Sequence, residues 1–222
     1  MTESEKKFLS ISGISNLGNC ETRFVNEIFR KRAPVEAVNA AVDERQKLAA
    51  KIPIMTKEQI INNLQAGYRI NAREVMLHDL KNQICGRIDH LQSMGFMENG
   101  RNMCLIINDK YPKNLDMIYG ITLPYKLQLT GYATAISNSE DFGSVCKVIG
   151  TQLRYREKGT DRIMQQFEMG SARLDNCISN VDTAISTAWR LYKKEKEPEH
   201  RRFDVEDGKW IECHCVSKST TW

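Results

Sequence analysis

Three short groups of residues in the middle of the chain carry side chains that could hydrolyse a phosphodiester bond. The groups are Gly86–Asp89 (GRID), Asn108–Lys110 (NDK) and Gln128–Tyr132 (QLTGY). Carboxylate and amide oxygens bind Mg²⁺ or Mn²⁺, which polarises a phosphate and a water molecule. A lysine beside the metal offsets developing negative charge or orients the attacking water. The residue types therefore predict metal-assisted phosphodiester hydrolysis, if the fold brings the groups together.

Two predicted strands position the first two groups. The β-rich run Ile84–Leu91 carries Asp89 near its end, and Met103–Lys110 follows after a polar loop with an Asn99-Gly100 turn signal. We expect the two strands to pair antiparallel, which brings Asp89 to the end of the second strand. Because side chains alternate along a strand, Asn108 and Lys110 should face one way and Asp109 the other.

A helix is predicted to carry the third group. The segment Tyr125–Ile136 has apolar residues at core spacing, and Pro124 suits the first turn of a helix. Gln128 and Tyr132 are four residues apart, so they should share one face of that helix.

The order and spacing of the three groups resemble the motifs of RecB-like nucleases of the PD-(D/E)xK superfamily, including the CRISPR-associated iron–sulfur exonucleases. This resemblance implies an α/β restriction-endonuclease-like core, with a central mixed sheet flanked by helices, formed as a single domain by residues 1–222. It also implies a deoxyribonuclease that uses Mg²⁺ or Mn²⁺ and acts as an exonuclease on single-stranded DNA. The residues that would take catalytic roles are Asp89, Asp109, Lys110, Gln128 and Tyr132.

One position departs from the family pattern, because Asn108 stands where these nucleases usually supply a carboxylate. Either a bulge rotates Asp109 into the site, or the metal site is one charge short. Two upstream carboxylates are further ligand candidates. Glu74 fits the acidic strand that often precedes the glycine motif, and Glu44 lies in a helix-prone run where the family often has a histidine. His90, adjacent to Asp89, is expected to face away from the site.

The cysteines near the two ends of the chain suggest a second metal site. The run Cys20–Phe24 (CETRF) resembles the start of the iron–sulfur nucleases, which pair one early cysteine with three late ones. The late set here is only Cys213 and Cys215, so a fourth ligand would be His214, Cys177 or a residue outside the pattern. The resemblance implies a 4Fe–4S cluster that joins the N-terminal segment 8–34 to the tail 199–222, and the thiolates would also suit Zn²⁺ there.

Composition sets broader limits on the protein. The chain has 222 residues, 41% of them hydrophobic, and a formal net charge of +4, which permits a polyanionic partner without requiring one. It has no run of about 18 apolar residues and no signal-peptide core, so we expect a cytoplasmic protein without membrane contact. The seven cysteines are then expected to be buried thiols, as at Cys85, Cys104 and Cys146, or metal ligands.

The expected partner is DNA, mainly single-stranded, and the chain could form a homo-oligomer or join a DNA-processing complex of CRISPR adaptation or repair. Two other functions fit the same residues. One is a subunit that keeps the nuclease fold without its activity and binds DNA or assembles such a complex. The other is an interaction module stabilised by a metal bound to its cysteines.

The rest of the chain is expected to complete the sheet and cover it. The runs 144–156 and 162–169 are predicted strands, with a turn at Gly159. A long helix should follow, capped by Ser171, and its apolar stripe should cover one face of the sheet.

Overall fold

The structure is a computed structural model that describes residues 7–29, 54–112, 120–157, 160, 162–213 and 215. Two of the predicted metal ligands, Glu44 and His214, lie outside these residues. The strands are β1 (Leu9–Ser10), β2 (Asn71–Asp79), β3 (Ile84–Glu98), β4 (Arg101–Lys110), β5 (Cys146–Arg156), β6 (Ile163–Gly170), β7 (Arg201–Asp204) and β8 (Lys209–Glu212). The α-helices are α1 (Ile11–Ile14), α2 (Glu21–Phe29), α3 (Lys57–Gln65), α4 (Leu123–Asn138), α5 (Glu140–Val145) and α6 (Ser171–Tyr192), and a 3₁₀ turn, Ser15–Gly18, follows α1.

Strands β1 to β6 form one mixed sheet with the order β1-β3-β4-β5-β6, and β2 pairs with the other edge of β3. The β1–β3 and β4–β5 pairs are parallel, whereas β2–β3, β3–β4 and β5–β6 are antiparallel. Strand β3 is 15 residues long, so its first half can pair with β1 and its second half with β4 along the same edge. The predicted α/β fold with a mixed sheet and flanking helices is confirmed.

The hairpin that joins β3 to β4 follows the turn signal in the sequence. Asn99 and Gly100 have φ angles of 52° and 75°, which asparagine and glycine tolerate better than other residues. Strand β4 ends at Lys110, as predicted. The turn fixes the pairing next to it, Glu98↔Arg101 and Met97↔Asn102, whereas a register shift between Ser93 and Met97 sets the pairing farther along the two strands.

Helix α4 lies in the centre of the molecule. All ten residues from Leu127 to Ile136 are buried, because the helix packs against the sheet, against α6 and against the 3₁₀ turn. The observed helix extends the predicted one by two residues at each end, and Pro124 lies in its first turn as expected. The third motif is thus held on a rigid, enclosed element.

Helix α6 covers β5 and β6 with the predicted apolar stripe, which includes Leu174, Val181 and Leu191. The prediction that Ser171 caps this helix is wrong, because Ser171 is its first helical residue and the cap position is Gly170, without a side-chain hydrogen bond. Beyond α6, β7 and β8 form a separate two-stranded hairpin. None of the helices in the described part of the chain is long and apolar enough to cross a lipid bilayer.

Candidate functional site

Asp89 lies where the regular pairing of three strands is interrupted. The pairing of β2 with β3 runs through Arg73↔His90 and Val75↔Ile88 but skips the Glu74 and Asp89 positions between them, and Glu74 has a φ of 53°. On the other edge, the pairing of β3 with β4 ends at His90↔Ile107. Just beyond that pair, the Asp89 carboxylate accepts a hydrogen bond of 2.8 Å from the backbone N–H of Asp109. This bond joins the first motif to the second.

The end of β4 pairs regularly with β5. Asn108, Asp109 and Lys110 stand opposite Leu153, Arg154 and Tyr155 in unbroken register, and the register shift of this pair lies earlier, between Cys104 and Leu105. The structure therefore has no bulge that would turn the Asp109 side chain toward Asn108 and Lys110. Strand alternation places Asp109 on the opposite face from these two residues.

The Asp109 carboxylate forms a buried ion-pair cluster on that opposite face. Its oxygens lie 3.0 Å from Nε2 of His90 and 2.9 Å from Nε of Arg156, and all three side chains are at least 90% buried. Burial tends to raise the pKa of Asp109, but the contacts with His90 and Arg156 outweigh it and lower the pKa below its usual value. The expectation that Asp109 supplies a carboxylate to the metal therefore needs correction. Its backbone N–H donates to Asp89, whereas its side chain contacts His90 and Arg156 on the other face.

Asn108 offers an unsatisfied oxygen near the end of β4, where it would stand opposite Asp89 if the β3–β4 register continued by one residue. The residue is 2% exposed, and its Oδ1 atom has no hydrogen-bond donor among the described residues. A buried carbonyl oxygen without a donor is costly, and a cation would remove that cost. This oxygen and the Asp89 carboxylate are both hard oxygen donors, the ligand type that Mg²⁺ and Mn²⁺ prefer.

Lys110 is connected to the third motif by a short chain of hydrogen bonds. Its Nζ donates to Oε1 of Gln128 at 3.3 Å, and Nε2 of Gln128 donates to the hydroxyl of Tyr132 at 3.1 Å. The prediction that Gln128 and Tyr132 share one helix face is confirmed. Nζ of Lys110 also lies 5.1 Å from the ring centroid of Tyr125, close enough for a cation–π contact.

The glycine of the first motif lies directly under the tyrosine of the third. A Cβ atom added to Gly86 would lie 2.6 Å from Cε1 of Tyr132, so only glycine allows this approach. All three motifs therefore meet at one corner of the molecule, between the ends of β3 and β4 and the face of α4.

Glu74 lies beside this corner and forms an ion pair. Its carboxylate lies 2.7 Å from Nε of Arg87, and the residue lines a cavity of about 530 Å³ together with residues of β2, α3 and α5. Within the described residues, Glu74, Asp89 and Asp109 do not bring three acidic ligand atoms together. The corner therefore has one carboxylate, Asp89, in contact with the second motif.

The described residues do contain one group of metal-binding side chains that converge, and it lies at the ends of the chain. The atoms are Sγ of Cys20, Cys213 and Cys215 and a ring nitrogen of His200, and all lie within 4.8 Å of one another. The structure thus brings together the three predicted cysteines. Sequence reasoning missed His200, because the family pattern directs attention to late cysteines and His200 precedes them by 13 residues or more.

The other cysteines lie apart from this group. Sγ of Cys177 lies 3.8 Å from Sδ of Met169 in the core, so Cys177 is not the fourth ligand. Cys104 and Cys146 are buried thiols, as predicted, and Cys85 is half-buried. All seven cysteines are free of disulfide bonds.

No family model and no curated protein matches the chain. Among the solved structures that resemble it are three at low identity. A candidate exonuclease from Eubacterium rectale has 14% identity and a TM-score of 0.47 over 98% of this chain and 97% of that one. The protein SSO0001 has 16% identity and a TM-score of 0.46 over 90% and 81% of the two chains. An alkaline exonuclease from Laribacter hongkongensis has 9% identity and a TM-score of 0.38 over 85% and 89%.

Proposed function

We propose that this protein is a metal-dependent deoxyribonuclease of the RecB-like PD-(D/E)xK type that trims single-stranded DNA. Three observations support the proposal: the hydrogen bond from the N–H of Asp109 to Asp89, the unsatisfied Oδ1 of Asn108, and the hydrogen bond that links Lys110 to the third motif. Hard oxygen ligands beside a positioned lysine are what hydrolysis of a phosphodiester requires. The resemblance to the PD-(D/E)xK motifs implies the same roles for Asp89 and Lys110, whereas Asn108 stands in a position that is usually acidic.

Asp89 and Asn108 would hold the metal. The N–H of Asp109 donates to the Asp89 carboxylate and so restricts the orientation of this ligand. When bound, Mg²⁺ or Mn²⁺ supplies Lewis-acid activation of a phosphate oxygen and of water. The backbone carbonyl of Asp109 and the side chains of Glu44 and Glu74 are further candidate ligands.

Lys110 would position the nucleophilic water or stabilise charge on the phosphate. A free lysine chain has many rotamers, but the acceptor Oε1 of Gln128 and the ring of Tyr125 restrict this one. Tyr132 in turn orients Gln128 through its hydroxyl. The third motif therefore acts on the reaction through Lys110, by keeping the ammonium group beside the corner.

The DNA would bind mainly through its phosphates. The chain has 8% aromatic residues and a formal net charge of +4, so base stacking contributes less than charge. We expect the affinity for single-stranded DNA to fall as salt rises. Association with other DNA-processing proteins, in CRISPR adaptation or repair, is a further part of the proposal.

Cleavage of end-labelled single-stranded DNA in the presence of Mn²⁺ tests the proposal. Asp89→Asn should abolish the product, because the corner loses its charged ligand. Lys110→Ala should slow cleavage by about 100-fold or more, as for other groups that stabilise developing charge. Asp175→Asn, on the exposed face of α6, is the matched control and should cleave normally.

Asn108→Asp tests the charge of the metal site. This variant restores the acidic residue of the motif and adds a second carboxylate beside Asp89, so it should reach half-maximal cleavage at a lower Mn²⁺ concentration than the wild type. If Asp89→Asn and Lys110→Ala both cleave at the wild-type rate, the reaction does not occur at this corner.

The neutral residue Asn108 favours a second candidate function, a nuclease-fold subunit that binds DNA without cutting it. In that case the wild type would bind single-stranded DNA with the expected salt dependence and give no metal-dependent product. Asn108→Asp would then be the variant in which activity appears.

A further inference from the structure

We infer that Cys20, His200, Cys213 and Cys215 bind a single zinc ion and not an iron–sulfur cluster. The resemblance to iron–sulfur nucleases implies a cluster at this place in the fold, but the side chains do not fit one. The inference is independent of the proposed nuclease activity, since it concerns a different part of the molecule and a different metal.

The sulfur atoms are spaced closely enough to surround a single ion. The Sγ atom of Cys213 lies 3.1 Å from Sγ of Cys20 and 2.7 Å from Sγ of Cys215, and the Sγ atoms of Cys20 and Cys215 are 3.2 Å apart. In a tetrahedral zinc site, bonds of about 2.3 Å place the sulfurs about 3.8 Å apart. Small side-chain rotations would therefore suffice to surround one ion.

A four-iron cluster needs a much wider site. Each of its cysteines binds a different iron, so the ligand sulfurs lie outside the cube and are separated by the width of the cluster. Here all four ligand atoms lie within 4.8 Å of one another, a group more compact than the corners of such a cluster. The ligand sulfurs would have to move much farther apart for a cube than for a single ion.

The types of the four ligands also favour zinc. Three thiolates and one imidazole form a set that structural zinc sites commonly use. Nδ1 of His200 lies 3.2 Å from Sγ of Cys215, so the ring already faces the sulfur group. The late cysteines are also spaced Cys-x-Cys with none after them, unlike the spacing of the iron–sulfur nucleases.

The hairpin formed by β7 and β8 sets the distance between the late ligands. The backbone N–H of Cys213 donates to the carbonyl oxygen of His200 at 3.0 Å, so these two residues stand opposite each other where the hairpin opens. Cys215 follows two residues later. The geometry of a hairpin, and not a flexible loop, therefore presents His200 and Cys213 to Cys20.

Glu21 anchors this hairpin beside the early cysteine. The residue is fully buried, and its carboxylate contacts Nζ of Lys196 at 2.6 Å, the N–H of Glu199 at 2.9 Å and Nε of Arg201 at 2.8 Å. The three partners surround His200 in the sequence, and Glu21 is adjacent to Cys20. Glu21 is thus a positioning residue, which fixes the early and late ligands relative to each other.

Metal analysis of the full-length protein tests the inference. The protein is expressed with both iron and zinc available and purified without oxygen or chelators. We expect about one zinc per chain, almost no iron and a colourless solution. About four irons per chain with a brown colour would overturn the inference, and so would a protein that contains no metal and takes up none from added Zn²⁺.

Two histidine variants identify the fourth ligand. His200→Ala should weaken zinc binding at least about 10-fold in competition with a chromogenic chelator, whereas His78→Ala, on β2, should leave it unchanged. His200→Cys should keep the zinc, since cysteine is an equivalent ligand. If His200→Ala binds zinc as tightly as His78→Ala, His200 is not a ligand and the inference fails.

Cobalt substitution and Glu21→Gln provide readouts that do not depend on folding yield. The Co²⁺-loaded wild type should show the strong visible bands of tetrahedral cobalt with thiolate charge transfer, and six-coordinate spectra would contradict the site. Glu21→Gln keeps every ligand but loses the charge that holds Lys196 and Arg201, so zinc should dissociate faster than from the control Glu58→Gln on α3. Equal dissociation rates would show that Glu21 does not position the zinc ligands.

Discussion

Substitution of Gly86 by alanine should destabilise the protein by an amount that follows from its surroundings. The added Cβ would lie 2.6 Å from Cε1 of Tyr132 and 3.1 Å from Cδ1 of Ile11. These neighbours are 3% and 1% exposed, so neither can move into solvent. Overpacking of this kind costs about 1–3 kcal/mol, and the lower chain entropy of alanine returns about 0.4–1 kcal/mol. The central values of the two ranges leave a net loss of about 1.3 kcal/mol in the free energy of unfolding.

Urea unfolding measures this loss, with Gly120→Ala as the control. A Cβ on Gly120 meets no atom within 4 Å, so this variant should match or slightly exceed the wild type in stability. A lowered midpoint without a changed slope would show that stability alone has changed. For a domain of this size, each kcal/mol should also lower Tm by about 2–4 °C.

A second substitution tests whether the contact with Tyr132 is the cause. Tyr132→Leu removes the ring that the new methyl group would meet, so Gly86→Ala should cost less in that background. The difference between the two costs should be at least about 0.5 kcal/mol, as for residues in contact. If Gly86→Ala is as stable as Gly120→Ala, or costs the same with and without the ring, the close approach of the two motifs is refuted.

Two further predictions concern buried or paired carboxylates and are read from urea unfolding at several pH values. Asp109→Asn should cost about 3 kcal/mol near pH 7, because it leaves Arg156 buried without its carboxylate. The folded-state pKa of Asp109 is lowered, so its contribution is present above about pH 4 and is lost as the pH falls through that lower pKa, where the two proteins should converge. The contacts of Glu206 with Arg173 and Lys126 lower its pKa to about 2, so its contribution to stability should be lost as the pH falls from about 4 to 2. Glu206→Gln should cost at most about 1 kcal/mol, because water screens these ion pairs. A pH-independent difference between wild type and variant would contradict either prediction.

Local patterns in the sequence were sufficient to predict the elements that carry the motifs. The Asn99-Gly100 turn and the two β-rich runs beside it predicted the β3–β4 hairpin, and Pro124 with the apolar spacing after it predicted α4. These signals work because backbone geometry and side-chain periodicity depend on neighbours a few residues away. The hairpin β7–β8 gave no such signal, since its strands are four residues each and one carries adjacent charges.

The sequence alone left the role of Asp109 open, and strand register decided it. Alternation predicted that Asp109 faces away from Asn108, but a single inserted residue would have reversed this. Only the regular pairing of the end of β4 with β5 excludes the reversal, and only that register brings Arg156, 47 residues later, next to Asp109. The motif identified the strand, whereas the sheet determined which oxygen atoms face the corner.

At the cysteine site, too, the sequence determined the ligand types and the tertiary structure determined how they come together. The sequence by itself determined that Cys20, Cys213 and Cys215 are candidate ligands, because thiols bind metals wherever the chain places them. Only the tertiary structure decided that His200 completes the set, since this depends on the hairpin register and on Glu21 contacting residues more than 170 positions away. Residue chemistry is a local property that can be read from the sequence, whereas the distance between two ligands depends on every packing contact between the elements that carry them.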